Sequence, residues 1–88
     1  MKMMIVILND QDVDAVIARL VEKEFRVTRV ASTGGFLRRG NTTLLLGVQD
    51  EQVDDAAVII RSNCEEHLDT DGCRAMVFVL DVAKHIQI

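Results

Sequence analysis

Two strand-length runs without a single polar residue constrain the fold of this chain more than any other feature. They are Met3–Leu8 near the start and Ala75–Leu80 near the end. A strand that is apolar on both faces is typical of the centre of a sheet. Neither run approaches the roughly 20 residues that a membrane-spanning helix needs. We therefore expect one small α+β domain over residues 1–88, without a membrane segment.

Helical periodicity predicts two helices. Asn9-Asp10 is a typical N-cap, and apolar residues then repeat at helical spacing up to Lys23 or Glu24. Phe25 is expected to close the end of this helix against the core. A second helix is expected to open at Gln49-Asp50. The predicted core-facing residues are Val13, Val16, Ile17, Leu20 and Val21 in the first helix, and Val53, Ala56, Ala57, Ile60 and Cys64 in the second.

The remaining strands follow from β-branched and apolar residues. They predict a half-exposed strand over Arg26–Thr33, a third strand over Asn41–Val48 and a fourth over Cys73–Val82. Gly47, inside the third strand, indicates a bulge or a close backbone approach. The order β-α-β-β-α-β predicts a ferredoxin-like sandwich, in which two helices cover one face of a four-stranded antiparallel sheet.

The second face of this sheet has no helix to cover it, although the strands are apolar on that side too. A large exposed apolar face is unusual in a monomer, and a chain of 88 residues gains core by associating with itself. We therefore predict an obligate oligomer. Val58 and Ile59, off the main face of the second helix, are further apolar surface that needs a partner.

Charge is unevenly distributed along the chain. The net charge is −4, yet Phe25–Val48 has no Asp or Glu and carries four arginines, at positions 26, 29, 38 and 39. An acidic protein is poorly suited to long nucleic acid. A local group of arginines suits a small anion such as a phosphate, although a solvated basic strand has the same charge pattern. The two cysteines are too few for a disulfide scaffold, so we expect a reducing cytoplasm.

The loop Gly34–Gly40 is the strongest local signal for binding. Adjacent glycines can present consecutive backbone N–H groups to an anionic oxygen. Arg26 and Thr28 lie on the same side of the preceding strand, Phe36 can stack on a flat ring, and Asn41 can read a base edge. These residues favour a nucleotide-like ligand over an ordinary hairpin.

The block TGGFLRxGNTT at residues 33–43 makes the sequence similar to the PII-like cyclic di-AMP receptor family. The resemblance continues through Met1–Met3, Asn9–Asp12, Gly47-Val48 and Val77–Leu80. It implies a homotrimer that binds cyclic di-AMP in clefts between subunits and signals by loop movement, with no catalysis and no cofactor. The ligand-binding residues that it implies are Arg26, Thr28, Gly35, Phe36, Leu37, Asn41, Gly47 and Gln87.

The chain resembles a short-loop variant of that family, and it departs from the family pattern in three places. Its connector, Glu65–Gly72, has neither the aromatic residues nor the prolines of the family's long loop, and Asp81 replaces a usual proline. The tail His85–Ile88 lacks the family's flanking aromatics. A more open pocket leaves two alternatives, namely a regulator that binds ATP or ADP, and a structural trimer with a relict pocket. The downstream protein partner is not indicated.

The sequence offers weaker indications of two other classes of function. Cys64, His67 and Cys73, with Asp69 or Asp71, could form a mixed metal site, although both cysteines fall where reduced core thiols are common. An enzyme is not favoured, because the acid-free segment has no paired carboxylates and neither His67 nor His85 has a clear nucleophile partner. His85 is expected to be a surface residue or a minor ligand contact.

Overall fold

The chain folds in the predicted order. The computed structural model describes residues 1–30, 40–64, 75–86 and 88. The strands are β1 (Lys2–Asn9), β2 (Val27–Val30), β3 (Asn41–Val48) and β4 (Ala75–Asp81), and the helices are α1 (Asp10–Glu22) and α2 (Val53–Ser62). A single 3₁₀ turn, Asp50–Gln52, precedes α2.

The four strands form one antiparallel sheet in the order β2-β3-β1-β4. β1 lies beside both β3 and β4, and Met4 is opposite Leu46 on one side and Val79 on the other. Opposed residues in a sheet share a face, and successive residues alternate between faces. The register therefore assigns each side chain of the sheet to a face.

One face of the sheet carries the core. Every second residue of the two central strands is buried there against both helices, which gives the two-layer ferredoxin-like arrangement that the sequence predicted. The buried residues are Met4, Val6, Leu8, Leu44, Leu46 and Val48 from the sheet, and Val13, Val16, Leu20, Ala56 and Ile60 from the helices. Val21 and Ala57, which were predicted on the core face, are exposed. On each helix, the surface that packs against the core is therefore narrower than the apolar surface that the spacing predicted.

The other face of the sheet is apolar and has no helix among the described residues. It carries the half-buried Ile5 and Ile7 of β1 and the exposed Met76, Phe78 and Leu80 of β4. Phe78 is 47% exposed and Leu80 is 50% exposed. We call this surface the open face. The expectation of an apolar sheet face without a helix is confirmed for the part of the chain that is described.

The predicted element bounds hold closely where they can be compared. β3 has the predicted bounds, and β2 begins at Val27 rather than Arg26. The second helix was expected to begin at Gln49-Asp50, but the α-helix begins at Val53, after a 3₁₀ turn in which Gln52 N–H donates to Gln49 O (2.9 Å) and Gln49 N–H donates to Gln52 Oε1 (2.8 Å). Residues 31–33, 73 and 74 lie outside the described residues.

Both ends of α1 have recognisable caps. The Asn9 side chain accepts from the Gln11 N–H (2.8 Å), as the predicted N-cap requires. At the other end, Phe25 N–H donates to Leu20 O and Glu24 N–H donates to Val21 O, both at 2.9 Å. This is the Schellman pattern, which places one residue in the left-handed region. That residue is Glu24, with φ of 68°. Phe25 packs against the core, as predicted.

Glu24→Gly is expected to stabilise the fold by about 0.5–1 kcal/mol, because glycine adopts the left-handed conformation without the Cβ penalty. Chemical denaturation of the two proteins measures the difference. Glu24→Ala is the control, since it removes the carboxylate and keeps Cβ. An equal gain from alanine would show that the charge, and not the backbone, is responsible.

Lys2, the first residue of β1, is opposite Asp81, the last residue of β4. The Lys2 ammonium donates a hydrogen bond to the Asp81 carboxylate. This contact raises the pKa of Lys2 above its ordinary 10.5 and lowers the pKa of Asp81 below its ordinary 3.8. Because the pKa of Asp81 is lower in the folded state, its contribution to stability is complete above pH 3.8 and is lost as the pH falls further.

We expect Asp81→Asn to be less stable than the wild-type chain at neutral pH, and this difference to be smaller at about pH 2, because protonation of the wild-type carboxyl weakens the ion pair as the pH falls below 3.8. Urea unfolding at the two pH values measures this. The effect at neutral pH is expected to be small, because the carboxylate is exposed. A difference in stability that persisted unchanged at low pH would contradict the ion-pair assignment.

Candidate ligand cleft

A cleft of about 510 Å³ lies on the open face, at the end of the sheet where β2 begins and β3 ends. Its volume lies within the range of small-molecule sites. The sheet contributes Arg26, Thr28, Leu45 and Gly47 to its lining. The residues that follow β4 contribute Val82, His85 and Ile86. The cleft therefore joins the beginning of β2 to the end of the chain.

The register explains why these sheet residues meet. Thr28 is opposite Leu45, and Gly47 is opposite Met3, which also lines the cleft. Leu45 and Gly47 are two positions apart in β3, as are Arg26 and Thr28 in the chain. Since side chains alternate along a strand, all of them lie on the open face. The predicted grouping of Arg26 with Thr28 is thus present, and Gly47 joins it.

Gly47 faces the side chain of Met1 rather than a distorted backbone. The pairing of β1 with β3 is continuous from Lys2 to Asn9, so the bulge considered at Gly47 is absent. A Cβ built on Gly47 would lie 3.2 Å from Met1 Cε. The close approach at this position is therefore to a flexible side chain, and the glycine keeps this part of the cleft open.

The described lining of the cleft has no Asp or Glu side chain. Arg26 is exposed and forms no ion pair with a described residue, so its guanidinium can bind an anion. Arg29, three residues later, turns to the opposite face, where it lies 3.6 Å from Asp14 of α1. The N-terminal ammonium lies 3.2 Å from Asp50. Of the basic segment found in the sequence, Arg26 is the described arginine that reaches the cleft.

Hydrogen-bond donors and apolar surface lie together in the cleft. Arg26, the Thr28 hydroxyl and the His85 ring offer donors, while Met3, Leu45 and Ile86 offer apolar contact. Donors of this kind suit a phosphate, and apolar side chains suit the face of a heterocyclic ring. The arrangement can therefore hold a compact ligand that combines an anion with a flat ring.

Asn41 does not share this cleft within one chain. It lies on the same face of β3 as Gly47 but six residues away, which corresponds to roughly 20 Å along a strand. It is opposite Asn9, beside the start of α1, where Asp10 N–H donates to Gly40 O (2.8 Å). The Thr42 hydroxyl also donates to Asp10 there. The described members of the predicted set therefore fall into two groups at opposite ends of the sheet, with Asn41 in one and Arg26, Thr28 and Gly47 in the other.

The other predicted ligand residues, Gly35, Phe36, Leu37 and Gln87, lie outside the described residues, as do Arg38 and Arg39. Leu45, Met1, Met3, Val82, Ile86 and Ile88 line the cleft and were not predicted as site residues. The strand alternation that links Leu45 to Gly47 could have identified the first of these. The residues after β4 have no periodic pattern, and only the tertiary fold brings them to β2.

Most of the residues that the metal-site alternative needs lie outside the described residues. The described residues contain no group of three or more His, Cys, Asp or Glu side chains that could hold a metal. Cys64 is half-buried and packs against the core. His67, Asp69, Asp71 and Cys73 lie outside the described residues. Neither described helix is long and apolar enough to cross a membrane.

Comparison with known proteins adds two findings. A family model described as cyclic-di-AMP receptor matches residues 1–70. The match includes the TGGFLRxGNTT block and both groups of ligand residues on the sheet, and it ends before β4 and the tail.

The fold is also similar to a solved structure, the crystal structure of a functionally unknown protein from Pediococcus pentosaceus ATCC 25745. The TM-score is 0.81, the sequence identity is 27%, and the similarity covers 99% of this chain and 96% of that chain. The similarity therefore extends over β4 and the tail, which the family match does not include.

Proposed function

This chain belongs to the cyclic-di-AMP receptor family, and we propose that it binds cyclic di-AMP in clefts between the subunits of a homotrimer. The family is a binding and signalling family and not an enzyme family, as the sequence analysis predicted. The observation that carries the proposal is the cleft on the open face, where Arg26, Thr28 and Gly47 meet and the described lining has no Asp or Glu side chain.

The chemistry of the cleft suits this ligand. Cyclic di-AMP presents two phosphates and two adenines, each phosphate with one negative charge. Arg26 and Thr28 can donate to a phosphate, since charge-assisted hydrogen bonds from a guanidinium are among the strongest available. Leu45 and Met3 can contact an adenine face, and His85 can donate to the ligand from the tail.

The separation of Asn41 from the cleft supports a site shared between subunits. Within one chain the two groups are roughly 20 Å apart along β3. A neighbouring chain can bring its own Asn41 end to this cleft, so that one ligand contacts both groups. Gly35, Phe36 and Leu37, which precede Asn41 in the sequence, would then come from the neighbour as well, and Gln87 would contact the ligand from the tail.

The open face supplies the apolar surface for such an assembly. Ile5, Phe78 and Leu80 are all on it, and the β4 residues are about half exposed. Burial of apolar surface stabilises by about 25 cal/mol per Å², so several such side chains favour association. Because β4 is an edge strand, its outer backbone groups are also available for a neighbour. The two cysteines, too few for a disulfide scaffold, support a cytoplasmic location for this receptor.

Arg26→Ala is expected to weaken cyclic di-AMP binding by about 10- to 100-fold, because it removes a charge-assisted contact to phosphate. Calorimetric titration measures the affinity. Arg29→Ala is a matched control, since this arginine lies three residues later, within β2, but faces α1, and it should retain the wild-type affinity. Equal losses in both variants, or no binding by the wild-type chain, would contradict the proposal. Competition by ATP would favour the adenine mononucleotide alternative.

Phe78→Asp is expected to convert the trimer to a monomer and to abolish ligand binding, because it places a charge on the open face. Sedimentation analysis and calorimetry of the same samples measure both effects. Val58→Asp is the control, since Val58 is 62% exposed on the helical side. A monomeric Phe78→Asp protein that bound the ligand normally would show that one chain forms the whole site.

A further inference from the structure

We propose that the groove between α1 and α2, on the side of the sheet opposite the ligand cleft, binds an acidic peptide segment of a partner protein. An apolar side chain of the segment would lie on Val58 and Ile59. Carboxylates of the segment would face Arg19 and Lys23. This inference adds a partner site to the receptor and does not depend on which nucleotide the cleft binds.

The groove consists of two adjoining hollows of about 460 Å³ and 300 Å³. Both are lined by Lys23, Val58 and Ile59, so they form one continuous depression. Phe25 and Gln52 lie at one end, and Asn63 lies at the other. Gln52 and Asn63 are 11 positions apart, which corresponds to roughly 16 Å along a helix and suits two to three helical turns of a bound segment.

Helical spacing builds both sides of the groove. Asp55, Val58, Ile59 and Ser62 of α2 are spaced at i, i+3, i+4 and i+7, which places them on one side of that helix. Arg19 of α1 is four positions before Lys23, at the C-cap, so the two cations lie one turn apart. The groove thus has an apolar floor with a basic side along α1.

The apolar floor is accessible. Val58 is 62% exposed, whereas Ile59 is half-buried and packs against the core. Association through the open face would not cover these residues, because the helices lie on the other side of the sheet. The apolar surface that the sequence analysis identified at Val58 and Ile59 therefore stays available in the proposed trimer.

Charge complementarity selects an acidic segment. Lys23 forms no ion pair with any described residue, and Arg19 lies 3.2 Å from Glu22 in a pair that is more than half exposed. Such surface pairs are weak, so a carboxylate of a partner can compete for the guanidinium. A basic surface is notable on a chain whose net charge is −4.

The polar side chains at the two ends of the groove determine where a carboxylate of the segment can bind. Ser62 Oγ donates to Val58 O (2.7 Å) and Asn63 Nδ2 donates to Ile59 O (2.8 Å), so these two donors already have acceptors in α2. The charged donors that the described lining offers to a carboxylate are Arg19 and Lys23. Asp55 at the other end repels anions, so the carboxylates of the segment would lie toward Arg19 and Lys23, and the concave floor favours a peptide over a flat membrane surface.

A synthetic 12-residue peptide with the repeated sequence Glu-Leu-Ala-Glu provides the probe, labelled with fluorescein for anisotropy. We expect the wild-type chain to bind it with micromolar affinity that weakens with added salt. Lys23→Glu and Val58→Asp should each weaken binding at least tenfold. Arg61→Glu is the matched control, because it makes the same charge change on α2 outside the groove and should retain binding.

The opposite charge pattern sharpens the test. A peptide with Lys in place of Glu should not bind the wild-type chain but should bind the Lys23→Glu variant. No binding of the acidic peptide, or equal binding by wild type and Lys23→Glu, would overturn the proposal. Binding to phosphatidylserine vesicles that Val58→Asp abolishes, without peptide binding, would assign the groove to a membrane and also overturn it.

Ligand titration separates this proposal from the receptor function. Lys23→Glu should keep the wild-type affinity for cyclic di-AMP, and the thermal shift that this ligand causes shows that the variant is folded. Arg26→Ala should bind the acidic peptide normally. Loss of peptide binding in both variants would show that the two surfaces are not independent.

Discussion

The burial of one sheet face against both helices is the interaction on which the rest of this structure depends. Met4, Val6, Leu44 and Leu46 line that face at almost no exposure. Because side chains alternate along each strand, the same burial directs Met3, Leu45 and Gly47 to the opposite side. A one-residue shift in the pairing of β3 would move Leu45 and Gly47 into the core and dismantle the cleft. The strand register that buries the core residues therefore also places the cleft residues together on the opposite face.

The two sides of the sheet then carry different chemistry. The open face has the cleft, in which Arg26 lies among donors and apolar side chains and the described lining has no Asp or Glu. The helical side has the groove, in which Arg19 and Lys23 border an apolar floor. Because the sheet lies between them, a ligand bound in the cleft would not obstruct a partner segment in the proposed groove. Such a separation would suit a receptor with the partner site proposed above.

Much of this could be predicted from the sequence, and the exceptions have physical reasons. The bounds of β3, the Asn9 cap and the grouping of Arg26 with Thr28 follow from local patterns, because each depends on residues that are neighbours in the sequence. The prediction of a bulge at Gly47 was wrong, because β1 and β3 pair continuously there. The glycine instead leaves room for the side chain of Met1, which is distant in sequence. Val21 and Ala57 were wrongly assigned to the core, because helical spacing does not show how much of each helix surface the sheet covers. Nothing local indicated that Glu24 takes the left-handed position usually held by glycine.

The amino-acid sequence by itself determined the order of the elements and the family, because apolar periodicity, caps and an uninterrupted motif are local properties of the chain. Only the tertiary structure decided which residues share a surface. It brought the tail with His85 to the beginning of β2, separated Asn41 from Gly47, and turned Arg29 away from Arg26. These outcomes depend on strand register and on the packing of helices against the sheet, which are contacts between residues far apart in the chain.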